Sequence, residues 1–550
     1  MKYSIMTLGL LLALCLTLSA CSHRARPVEA ADSTAEGLRT ESDTPRFLRI
    51  ADESPETVDP QRAGGDDNVA LNVFDRLVEV QVDADGVSAI APSLAEAWQV
   101  SDDGLTYTFT LRQGVHFSNG SALTSSDVGY TLRRLLTQPD SRNVDIVSLI
   151  LGAEALRSGE ADTLAGFRVL SDTEFSVTLS QPYAAFLACL STPGFSILDA
   201  ETTEAAGEGF GLEADATAGT GPFVLHEWRR GEHMMLAANG DCWQGAPRCP
   251  GIEILYVGDA ETCRLMFEEG DLDLLDLDSL GDDAEYFIHG DIYQPLLRQG
   301  PRMDITFVAL NAAIEPLDDV RVRRAMQLAL DRDSIMRITC SGRGTVENGI
   351  IPRGLIGHNP DLAAIPFDLN EAERLLDDAG YPEGFELPMV MPDTSPQSMR
   401  DLMNLLIFMW RRVGIYARVA YVSEEQFIEQ RMAGEIACHA ATWSADFDDP
   451  DNFMEPFFSS PANARRHSLC YGNEAVMTRV AEARSIVDEE KRLREYRALE
   501  ERLIQQDAAW IPLYSTQHYF AVSQRVNGFR VAWNGGYDNR YSDVALLDEE

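Results

Sequence analysis

The stretch LTYTFTLRQGVHFSNGSALTSSDVGYTLRRLL, Leu105 to Leu136, changes its hydrophobic pattern halfway. From Leu105 to Phe117 apolar and polar residues alternate, the period of strands buried on one face, with a break at Gly114. From Ser125 to Thr137 the chain reads as a helix. Ser125 or Ser126 stands at the cap, and acidic Asp127 sits in the first turn, where the helix dipole favours negative charge. Strands running straight into a helix predict a mixed α/β chain.

The same alternation continues outward. FSVTLSQPY is a strand stopped by Pro182, IEILYVG is another, and MDITFVALN (Met303 to Asn311) reads as a largely buried strand. HEWRRGEH (His226 to His233) reads as a strand and a turn at Arg230-Gly231. Its two histidines are seven apart, not the four that would place them on one helix face. The second half carries clearer helices. In DDVRVRRAMQLALDRDSIM two acids precede an apolar face of Val322, Ala325, Met326, Ala329 and Leu330. DLNEAERLLDDAGYP has Asn370 at the cap, Glu373 completing a capping box, and Gly380 as terminator. Helix–strand–helix–strand order here predicts an α/β lobe around a partly parallel sheet.

The first twenty residues read as an export leader. Lys2 precedes an apolar run too short to span a membrane, and LSAC (Leu18 to Cys21) ends it as a lipobox would, with Cys21 the lipidated residue. The next 24 residues hold no aromatic residue and a single leucine, a composition that cannot offset the entropy of ordering. They read as a tether with a reach on the order of 27 Å. The net charge of −43 excludes nucleic acid as a partner, and Lys491 is the one lysine left after the leader. Of nine cysteines, seven remain after cleavage at Cys21 and its acylation. Cys242 and Cys249 are the only close pair, spaced to close a small disulfide loop.

No GxSxG elbow, HExxH or phosphate loop occurs, and no zinc-type cysteine spacing. The chemistry concentrates in TWSADFDDPDNFMEPFFSS (Thr442 to Ser460), with four aspartates among aromatic residues. Pro450 takes what would be the third ligand position of a calcium loop, and no glycine follows. A partly desolvated aspartate here suits an ammonium group through a charge-assisted hydrogen bond. Asp449, Asp451 or Asn452 capping the helix FMEPFF is the structural alternative, and both roles fit the cluster.

The run IAPSLAEAWQVSDDGLTYTFTLRQGVHFSNGSALTSSDVGYTLRRLL resembles the signature segment of extracellular solute-binding proteins of the peptide- and nickel-binding class, which deliver substrate to ABC importers. ESPETVDP, AGTGPFVLHEW, LNAAIEPLDDVRVRRAMQLALDRDSIM, FDLNEAERLLDDAGYPEGFEL and TWSADFDDPDNF continue the likeness from Phe47 to about Val531.

The resemblance implies a two-lobed, type II-like periplasmic-binding-protein fold with an extra α+β domain on the first lobe. The first lobe would comprise residues 46–75, 216–302 and 516–550, the extra domain 76–215 and the second lobe 303–515. It further implies that Asp446 holds a ligand α-ammonium, that Trp443 walls a side-chain pocket, and that Gly64 and Gly65 let backbone approach the ligand. In dipeptide binders an arginine clamps the ligand carboxylate. At the comparable place this chain has Ser395, with Arg400 nearby on the next helix. Expected partners are a peptide or other amine-bearing solute, importer permease subunits and a membrane reached through Cys21; no cofactor, metal or second copy is expected. The expected location is extracytoplasmic and membrane-anchored. A sensory or chaperone-like binder without a permease, or a hydrolase using the acidic cluster, are the rival functions.

Overall fold

A computed structural model describes residues 46–63, 68–82, 88–534 and 539–547. The leader, Cys21, the tether up to residue 45, and Gly64 and Gly65 therefore lie outside the described residues. Residues 46–550 form one compact unit by their contacts. Among the described residues no helix is long and apolar enough to cross a membrane.

A mixed sheet of twelve strands runs through this unit. Its centre is the long strand Trp510–Val522, whose first half pairs antiparallel with Asp304–Leu310. Its second half pairs with Leu274–Asp276 and Leu297–Pro301. On one side the sheet continues through Cys438–Ser444 and then the parallel strands Phe385–Pro392 and Ile415–Val422. On the other it continues through parallel Leu48–Asp52 and Gly251–Tyr256, then the antiparallel hairpin His233–Ala238 and Phe223–Arg229. Asp304–Leu310 is buried at every position, as a largely apolar strand covered on both faces must be.

The segment from Leu105 to Leu136 builds a separate layer. Thr106–Leu111 pairs with Ala95–Val100 and Glu174–Thr178 in a four-stranded antiparallel sheet. Beyond Gly114 the expected strand gives only an isolated bridge, His116 to Ala122, because the chain must turn to enter the helix Ser125–Thr137. That helix is capped one residue earlier than expected, by Thr124, with Asp127 closing the capping box. The helix Leu369–Ala379 is likewise capped by Asp368 rather than Asn370, and Gly380 ends it in the left-handed region.

Buried apolar residues fall into four clusters. One draws on residues between Met303 and Trp533, one on Leu77 to Ala218, and two share Leu48 to Phe74, Leu198 to Tyr293 and the chain from Phe520 on. Where the long strand passes between clusters, polar contacts fasten it. Thr516 donates its N–H and hydroxyl to Asp304 at 2.8 and 2.5 Å. Nearby His518 reaches Asp276 at 2.8 Å and Asp278 at 3.0 Å. Asp276, Asp278 and His518 lie close enough together to hold a metal ion, and the Arg302 guanidinium is paired with Asp278.

The expected disulfide does not form: Cys242 and Cys249 are free, buried thiols. Cys242 points toward the Thr220 carbonyl, whereas Cys249 belongs to the apolar cluster around Leu236 and Ile252. The turn between them sends the two side chains to different neighbours.

Candidate ligand-binding site

The acidic loop divides its four aspartates between two tasks. Asp449 accepts from Arg492 at 2.7 Å, with side-chain exposures of 3% and 4%, and it also accepts the Asp451 N–H at 2.9 Å. Asp451 accepts from Arg484 at 3.0 Å and from the Tyr496 hydroxyl at 3.1 Å. Asp448 accepts the Ile356 N–H at 3.0 Å. Burial pushes both Asp448 and Asp451 up to about 6. These three carboxylates are structural. They start the helix Asp451–Phe458 and bind the loop to the helix Glu489–Glu501 and to the segment around Ile356.

Asp446 differs. Its carboxyl accepts only from Asn452, at 3.3 Å, and has no cationic partner among the described residues. It is open to water on one side and walled by protein on the others, lining two cavities that share it with Thr192 and Pro193. One, of about 300 Å³, is bordered by Arg76, Glu79, Arg530, Trp533 and Arg540. The other, of about 450 Å³, is bordered by Arg142, Asp145, Phe447 and Asn534. Desolvation raises the Asp446 pKa, Asn452 opposes the shift, and the charge of Asp145 adds to it. The ionised form thus carries a cost that an arriving ammonium would offset.

The other expected residues fall differently. The Trp443 indole donates to the Asn452 carbonyl at 2.9 Å, and its ring meets Phe457 and His467 edge-on at 5.0 and 5.7 Å. It supports the loop from behind and lines neither cavity. Arg400 donates to the Ser395 and Asp393 carbonyls and lies over the Tyr421 ring, so neither it nor Ser395 borders the cavities. Asn534 had no signal in the sequence. Its amide donates to the Ala445 carbonyl at 2.7 Å and its oxygen accepts from the Met303 N–H, tying the C-terminal segment to the residue before Asp446.

A buried glutamate also braces this region. Glu500 accepts the Ile350 and Ile351 N–H groups at 2.6 and 2.9 Å. Gly349 permits this approach, because a Cβ there would collide with a Glu500 carboxylate oxygen. The segment so held leads to Ile356, the donor to Asp448. Burial, against the two N–H donors, pushes Glu500 up to about 7 from an ordinary 4.5. The folded state therefore holds a proton that the unfolded chain releases. That contribution is intact below pH 4.5 and is lost as pH rises through 7. Relative to the parent, Glu500→Gln should gain roughly 2–3 kcal/mol of stability between pH 5 and 8. Urea unfolding at the two pH values measures it, and a constant difference between parent and variant would rule it out.

The family model for bacterial extracellular solute-binding proteins, family 5 Middle, matches residues 89–465. Heme-binding protein A of Haemophilus influenzae is 28% identical over 482 residues, covering 85% of this chain and 86% of that protein. The dipeptide-binding protein of Escherichia coli is 27% identical over 498 residues, covering 87% of this chain and 90% of that one. The solved structure of HbpA2 from Haemophilus parasuis matches with a TM-score of 0.78 at 25% identity, covering 91% of this chain and 99% of that chain.

Proposed function

Because the chain belongs to family 5 of the bacterial extracellular solute-binding proteins, with their two-lobed α/β fold, we propose that it captures peptides, or a related amine-bearing solute, for an ABC importer. It binds and does not transform its ligand. The observation that carries this reading is Asp446, the one loop aspartate open to the cavities and without a cation among the described residues. A heme offers no ammonium to such a group, whereas a peptide N-terminus does, so the dipeptide-binding relative is the better guide to ligand class than the heme-binding one. The proposed lobes are 46–75 with 216–302 and 516–550, then 303–515, with 76–215 as the added domain. The partition of the apolar clusters supports these boundaries in the main, although Leu198 and Phe210 pack with the first lobe's residues and Trp533 with the second's. Ligand between the lobes favours the closed state, which the permease then engages. Cys21 carries a lipid that holds the chain, as a monomer, at an extracytoplasmic membrane surface.

One experiment reads both ends of this proposal. The full chain is extracted gently from membranes and weighed intact by native mass spectrometry. The expected polypeptide begins at Cys21 with a diacylglycerol increment and carries a family of added masses matching short peptides. An unmodified N-terminus at any other residue would sink the anchor, and a single non-peptide mass would sink the peptide reading while leaving the binder.

A further inference from the structure

The dipeptide-type carboxylate clamp is absent where the resemblance puts it, yet the smaller cavity beside Asp446 is rich in arginine. Of the arginines bordering it, Arg540 is already neutralised. It lies 2.6 Å from Asp75, which is fully buried and also accepts from Trp243 and Thr220, and 3.6 Å from Glu79. Arg530 stands differently: it is exposed to the cavity and has no ion pair or hydrogen bond among the described residues. Asp446 and Arg530 are therefore an acid and a base that border one cavity of about 300 Å³ without a charged partner among the described residues. Such a pair leaves a negative and a positive charge for a ligand to complete.

We propose that Arg530 receives the carboxylate of a zwitterionic ligand whose ammonium is held by Asp446, so that the cavity selects short peptides with a free C-terminus. The inference rests on the ammonium reading of Asp446 and extends it. A ligand carrying only the ammonium neutralises Asp446 and leaves the positive charge of Arg530 unopposed. A ligand carrying both charges closes the cavity to neutrality, and a planar guanidinium can take a carboxylate through two parallel hydrogen bonds. Arg540, fixed by Asp75 and Glu79, stays in place as a wall and does not compete for the ligand. The added selectivity is that of a charge-assisted hydrogen bond, about 10- to 100-fold in affinity.

The test uses a peptide pool from proteolytic digestion of casein, presented untreated, N-acetylated or esterified with methanol. The unfolding midpoint of the wild-type chain should rise with the untreated pool and not with either modified pool. Arg530→Gln should lose the discrimination between untreated and esterified peptides, while Arg400→Gln, outside the cavity, should keep it. An esterified pool that shifts the wild-type midpoint as strongly as the untreated one, when the acetylated pool does not, overturns this inference alone. So does discrimination that survives in Arg530→Gln. An acetylated pool that works as well as the untreated one, or no shift with any pool, overturns the ammonium reading and this inference with it.

Discussion

Asp446→Asn weakens binding of an ammonium-bearing ligand by about 2–5 kcal/mol, roughly 30- to several-thousand-fold, while leaving the unliganded fold as stable as before or slightly more so. The size follows from truncating one partner of a desolvated charge pair. The stability side follows from the raised pKa of Asp446: walled by protein and facing Asp145, the empty carboxylate is a burden on the folded state. An amide of the same shape keeps a polar contact to Asn452 and removes that burden. Titration calorimetry with whichever ligand the native mass spectrum identifies gives the first quantity, and thermal unfolding the second. Unchanged affinity would remove Asp446 from the site. A large drop in the unfolding midpoint would make it a structural aspartate like its three neighbours. Affinity should also decline as pH falls through the Asp446 pKa, since the protonated acid no longer attracts the ammonium.

Arg492→Ala and Asp449→Ala each cost about 3–5 kcal/mol of stability, because each leaves the other member of a nearly dry pair charged and alone. The double replacement Asp449→Leu with Arg492→Met should cost less than either single change, since it removes both charges and fills the space with apolar volume. The loss concentrates in the loop from Ala445 to Phe458, which the pair fastens to the helix Glu489–Glu501. Hydrogen exchange read peptide by peptide should show protection falling there first, ahead of the sheet around Trp510. Equal loss throughout would mean the pair supports the lobe as a whole. A cost below about 1 kcal/mol would put the pair in the class of exposed ion pairs and refute the argument.

The elements legible in the sequence are those whose signal is local. Gly380 ends its helix in the left-handed region, and the alternation before Gly114 makes a strand. Reading fails where two polar residues separated by one position compete for one cap, as Asp368 and Asn370 do across Leu369, or where spacing stands in for direction, as with Cys242 and Cys249. In the proposed site, Asp446 stands out in the sequence because a dense acidic run among aromatic residues is unusual, and the family resemblance singles out one aspartate of four. The same resemblance makes Trp443 a pocket wall, and its indole N–H donates to the Asn452 carbonyl. Arg530 and Asn534 have no signal at all. They lie in an irregular segment more than eighty residues from Asp446, and only the fold brings them to it.

The long strand Trp510–Val522 follows in sequence every strand it pairs with, yet it lies in the middle of the sheet, between Asp304–Leu310 and Leu274–Asp276. A chain emerging N-terminus first has both flanks of that sheet finished and nothing to join them. Contacts this distant in sequence must wait for closure of very long loops, which makes assembly slow. Until the segment from Trp510 onward arrives, the edges of Asp304–Leu310 and Leu274–Asp276 that it covers remain unpaired, and Asp446 has no Asn534 beneath it. A molecule cut short before Trp510 is a nascent chain with two open sheet edges, prone to pairing with other chains and a ready target for proteolysis, rather than a weaker receptor.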